Sequence, residues 1–64
     1  MAKVNGQDIP AAGLSVRDLL KKMDFDEAKV VVERNLKIVP KASYDETFVS
    51  EADEIEVVSF VGGG

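Results

Sequence analysis

Chemistry in this chain has few places to start. Six side chains carry a hydroxyl (Ser15, Ser43, Tyr44, Thr47, Ser50 and Ser59), and the 64 residues include neither His nor Cys. A hydroxyl nucleophile needs an adjacent base, most often imidazole, so no Ser–His or Cys–His arrangement can be assembled. Thiolate and imidazole metal sites are excluded for the same reason. Of the twelve Asp and Glu residues, those that pair fall in expected turns or along the last apolar segment. They read as solvated groups, not as a general acid–base pair. Asp24-Phe25-Asp26-Glu27 has the beginning of a calcium loop, but Ala28 and Lys29 stand where a ligand and a glycine are required. No metal site is expected. Gly62-Gly63-Gly64 is no phosphate loop, since no helix N-terminus follows it. What remains is the carboxylate of Gly64, at the end of three residues that lack a Cβ and can thread a narrow channel. A carboxylate resists nucleophiles until one of its oxygens becomes a leaving group, which adenylation by ATP achieves. The plain alternative is a glycine tail without a role.

The remaining composition concerns the body that would carry such an arm. Ten Val, three Ile and four Leu supply one small core, too much apolar content for a disordered chain. The longest strongly apolar run, Val30-Val31-Val32, is far short of a membrane span, and the N-terminus lacks the apolar core of a signal peptide. A soluble, cytoplasmic chain is expected, with no membrane partner. Eight bases against twelve acids give a net charge of −4, which argues against nucleic acid as a partner. The charge is uneven: residues 1–41 carry +2 and residues 42–64 carry −6. The second half is therefore either a solvated acidic face or a surface matched to a basic partner.

Ala2 to Val4 and Gln7 to Ile9 read as a hairpin about Asn5-Gly6, a pair that accepts the positive φ angles of a tight turn. Pro10 ends the second strand. Ser15 is expected to cap a helix over Val16 to Met23, with Asp18 completing a capping-box pattern. Val16, Leu19, Leu20 and Met23 share one face of that helix, and Lys21 and Lys22 lie at its C-terminal end, where the helix dipole favours cations. Val30 to Arg34 is β-branched and reads as a strand. Asn35 marks a turn, and Leu36 to Val39 a short strand stopped by Pro40. Lys41 to Ser50 has no period, and Tyr44, Phe48 and Val49 are expected to pin it to the core. Glu54 to Val61 is the final strand. The order ββαββ, crossover, β leaves one helix to cover one face of a mixed four- to five-stranded sheet. That is an α+β fold, the ubiquitin-like β-grasp, with a domain over 1–60 and a flexible tail over 61–64. The tail would reach about 13–14 Å when extended.

Strand alternation directs Ile55 and Val57 inward and Glu54, Glu56, Val58 and Phe60 to the uncovered face. A partner guided by Glu54 and Glu56 and clamped on Val58 and Phe60 would meet the chain where Val61 and Gly62 lead to the terminus. The competing expectation is that Phe60 folds back into the core, since strand ends often twist or bulge.

The stretch from Asp53 to Gly64, together with Val4-Asn5-Gly6 and Val31 to Asn35 through Ile38-Val39-Pro40, resembles the small thiamine-pathway sulfur carriers over nearly the whole chain. The resemblance implies a β-grasp fold and a non-enzymatic carrier. It implies that an E1-like adenylyltransferase activates Gly64 with ATP and Mg²⁺, and that no cofactor is held stably. A sulfur donor, such as a cysteine desulfurase relay, then forms a thiocarboxylate, and thiazole synthase takes the sulfur. Gly63 matches the second glycine of the family's terminal pair. Three positions depart from the pattern: Leu36 where Gly is common, Glu51-Ala52-Asp53 in place of Asp-Gly-Asp, and Ser59 where a base often precedes the Phe. A molybdopterin-type carrier, a covalent protein modifier and a non-covalent β-grasp interaction domain remain alternatives.

Overall fold

The computed structural model describes residues 1–60. The expectations that rest on Val61, Gly62, Gly63 and Gly64, including the flexible arm and the domain boundary before it, lie outside the described residues. Strands β1 (Ala2–Val4) and β2 (Gln7–Ile9) form the expected hairpin. Asn5 and Gly6 both hold positive φ, at 51° and 82°, as the tight turn requires. Helix α1 spans Val16–Lys22. The Ser15 hydroxyl accepts the Asp18 N–H at 3.1 Å, satisfying one of the helix's orphan donors. At seven residues α1 is too short to persist alone, and it is held by burying Val16, Leu19 and Leu20 completely.

A 3₁₀ turn (Glu27–Lys29) leads into β3 (Val30–Arg34), which turns into β4 (Lys37–Ile38). A second 3₁₀ turn (Lys41–Ser43) opens the crossover, and β5 (Glu54–Ser59) returns through the middle of the sheet. The strand order is β2-β1-β5-β3-β4, with β1 parallel to β5 and every other pair antiparallel. This is the five-stranded mixed sheet of a ubiquitin-like β-grasp, with one helix on one face. Ala2, Val4, Val30, Val32, Ile55 and Val57 alternate onto the helix side and are buried, each large aliphatic contributing about 1.5–3 kcal/mol by leaving water. Among the described residues no helix is long and apolar enough to cross a membrane.

Three expectations need correction. Phe48 does not pin the crossover: it is 57% exposed, while Tyr44 and Val49 are buried. Its backbone forms an isolated bridge with Ser15, and local alternation turns Val49 inward and Phe48 outward. The fourth strand is shorter than Leu36 to Val39, because Asn35 and Leu36 hold φ of 52° and 71° and form the turn itself. The last strand ends at Ser59, with Phe60 already outside it.

Candidate functional site

Gly62, Gly63 and Gly64 follow β5 in the sequence, and the described part of the candidate site begins with what holds that strand. Both turn asparagines brace it. The Asn5 carboxamide accepts the Val57 N–H at 2.8 Å and donates to the Val57 carbonyl at 3.3 Å. The Asn35 carboxamide accepts the Glu54 N–H at 3.0 Å and donates to Asp53 Oδ1 at 3.0 Å. Left-handed backbone at each position lets a short amide side chain fold over its own turn and reach the neighbouring strand. Sequence reasoning treated both as turn formers only. The signal for more was their type: Gly alone would have served the turn, and Asn adds a donor and an acceptor.

Asp53 completes the anchor at the start of β5. Its side chain is buried and accepts from Arg34 Nε at 2.9 Å, from Asn35, and from the Ser50 N–H at 2.9 Å. Burial pushes the carboxyl pKa up. The Ser50, Arg34 and Asn35 hydrogen bonds and the guanidinium charge outweigh it and hold the group below its ordinary value. The expectation that the carboxylates are all solvated is therefore wrong for Asp53. Its three partners lie up to nineteen residues away, beyond the reach of local pattern.

The face opposite α1 carries Glu54, Glu56 and Val58 of the predicted residues, with Phe60 just beyond the end of β5. Its cross-strand rows are Asp8–Lys3–Glu54, Ile38–Glu33–Glu56 and Val31–Val58. Lys3 donates to Asp8 at 2.9 Å. That hydrogen bond and the Asp8 charge raise the Lys3 pKa, with Glu54 adding to the effect. Glu33 and Glu56 stand directly opposite each other, a like-charge pair that costs stability. Val58 is 57% exposed. Phe60 is 43% exposed and stands outside the buried core, so it does not fold back as the competing expectation had it. The face thus presents acids toward the start of β5 and apolar surface toward its end. Among the described residues no group of three or more acids is placed to hold a metal ion.

A family model described as the ThiS family matches residues 1–64. The chain belongs to the ThiS family. The sulfur carrier protein ThiS of Bacillus subtilis is 39% identical over 67 residues, covering all of both chains. The crystal structure of the thiamine biosynthesis protein ThiS of Geobacter metallireducens superimposes with a TM-score of 0.78 at 33% identity, covering 98% of this chain and 97% of that one. A thiazole synthase of Paramagnetospirillum magneticum is 45% identical over 62 residues, 95% of this chain. This chain spans only 19% of the length of that protein and of a second thiazole synthase it matches. The resemblance to the thiamine-pathway sulfur carriers and the β-grasp fold it implies are both met.

Proposed function

We propose that this ThiS-family chain is a sulfur carrier of thiamine biosynthesis, acting as a co-substrate and not as a catalyst. With Gly64 as the native end, its carboxylate attacks the α-phosphorus of ATP on an E1-like adenylyltransferase. Pyrophosphate leaves and an acyl-adenylate forms, with Mg²⁺ supplied on the activating partner. A sulfur nucleophile at the oxidation level of hydrosulfide then attacks the Gly64 carbonyl, AMP departs, and a thiocarboxylate remains for thiazole synthase. A desulfurase relay carries its sulfur as a persulfide: the terminal sulfur would attack the carbonyl to give an acyl disulfide, and a second thiol would then release the thiocarboxylate while forming a disulfide with the relay cysteine. The correspondence with the Bacillus carrier over the full length of both chains carries the reading. The thiazole synthases that contain a similar segment support that partner, and the thiamine names of the relatives favour this pathway over a molybdopterin carrier, a protein modifier or an inert domain.

The open sheet face suits the docking this chemistry needs. Glu54 and Glu56, reinforced by Glu33, would attract a basic partner surface, and Val58 and Phe60 would be covered beside Val61 and Gly62. Gly63 and Gly64 would enter the partner's site. The test is intact mass after incubation with the adenylyltransferase, ATP, Mg²⁺ and sulfide. The expected product has one oxygen of Gly64 exchanged for sulfur. A chain extended beyond Gly64 that gained sulfur at its end without trimming would overturn the reading.

A further inference from the structure

Lys41 is bound in a way that an ordinary surface lysine is not. Its ammonium donates to the Glu27 carbonyl at 2.7 Å and to the Val30 carbonyl at 3.0 Å. It also lies 5.7 Å from the centre of the buried Tyr44 ring and 5.8 Å from that of Phe60. One cation therefore joins three segments: the crossover that carries it, the entry to β3, and the last residue before the glycine-bearing end. Phe60 is held from the other side by its own N–H, which donates to the Lys29 carbonyl at 3.0 Å. Backbone and ring of Phe60 are thus fixed by different partners within one short stretch of the fold. Pro40, whose ring fixes φ at −64°, sets the start of the turn that presents Lys41.

We propose that Lys41 is a positioning residue for the activation of Gly64: by bridging the rings of Phe60 and Tyr44 it fixes Phe60, the last described residue before Val61 and the glycines, relative to the folded body. This rests on the carrier reading above. Docking uses the exposed face, whereas Lys41 spends its donors inside the chain. Its loss should misplace the reacting carboxylate in a complex that still forms. Small misplacements of a reacting group are costly, a shift of about 1 Å being worth about a hundredfold in rate.

Label exchange between pyrophosphate and ATP, with the full chain, the adenylyltransferase and Mg²⁺, tests this without a sulfur donor. Lys41→Met keeps the stem and removes the cation. It should lower kcat for exchange by about tenfold or more while KM stays within about twofold. Lys41→Arg keeps the charge and stacks on aromatic faces, and should recover most of the loss. Phe60→Leu removes the ring that Lys41 grips and also part of the docking surface, so its KM should rise; its kcat should fall as in Lys41→Met, and kcat of the double variant should fall no further than that of the worse single one. Where Lys41→Met does not fold, Phe60→Leu carries the test. A folded Lys41→Met with wild-type kcat, or a loss confined to KM, overturns the proposal while the carrier reading stands. A wild-type chain that supports no exchange takes both down.

Discussion

The two ends of β5 are built on opposite terms. At its start, Asp53 and Glu54 are tied inward by Arg34, Asn35 and Ser50, and the one buried carboxylate has every partner within the chain. At its end, Val58 and Phe60 leave apolar surface in water, and the hold on Phe60 is a backbone bond and a cation against its ring. Burial with internal partners gives stability. Exposed apolar surface gives little to the monomer and, in the proposed function, suits a partner. The difference teaches that a single strand of six residues can be anchored at one end and left exposed at the other, the exposed end being the one the proposed function gives to a partner.

The largest effect should follow from changes beyond the second end. Deleting Gly64, or adding one residue after it, should abolish adenylation in the pyrophosphate exchange assay and leave thermal unfolding as in the wild type. Retained exchange in either variant would mean that the reactive group lies elsewhere.

At the first end the expected loss is of stability. Asp53→Ala leaves Arg34, Asn35 and the Ser50 N–H without their shared acceptor, which should cost about 2–4 kcal/mol in denaturant unfolding. The acid response follows from the same group. Its folded pKa is lowered, so its contribution is present above the unfolded value near 4 and is lost as pH falls through the folded value. Asp53→Asn should flatten that part of the acid slope. An unchanged slope would show that Asp53 is not its source.

Phe60→Ala breaks the second end more gently. A half-exposed ring outside the core should cost about 1 kcal/mol or less, well under the 3–5 kcal/mol of a core aromatic. Activation should weaken measurably. A large stability loss with unaltered activation would make Phe60 a structural residue, and the contrast between the two ends would fail.

The sequence made one of these ends legible and hid the other. Alternation along Ile55, Val57 and Val58 is local, so the inward and outward faces of β5 followed from a period of two. The helix, its Ser15 cap and the Asn5-Gly6 hairpin rest on neighbours within four residues and were equally readable. Beyond its local bond from Ser50, Asp53 depends, like the asparagine braces and the seat of Lys41, on partners from eleven to more than fifty residues away, where no periodicity reports. Phe48 was misread because an aromatic in an aperiodic stretch looks like core until a bridge to Ser15 fixes which neighbour turns inward.

The smallest expected effect lies in the turn beside Asp53. Leu36 holds φ at 71° and is 90% exposed. An L-residue in the left-handed region is disfavoured by about 1–2 kcal/mol, and a side chain so exposed returns almost no packing. Glycine removes the steric cost but loosens the unfolded chain, which takes back about 0.4–1 kcal/mol. Leu36→Gly should therefore stabilise the chain by about 0.5–1 kcal/mol, raising Tm by about 3–6 °C in a domain this small. The gain should be smaller in the Asp53→Ala background. Asn35, next in the chain, is braced by Asp53, and a turn no longer held in place does not impose its strain. Equal gains in both backgrounds would show that the Asp53 cluster does not dictate the turn geometry. A loss in the wild-type background would show that Leu36 makes a stabilising contact. Because this turn sits at the anchored end, kcat for exchange should not change in Leu36→Gly. A change there would mean that the two ends of β5 are coupled after all.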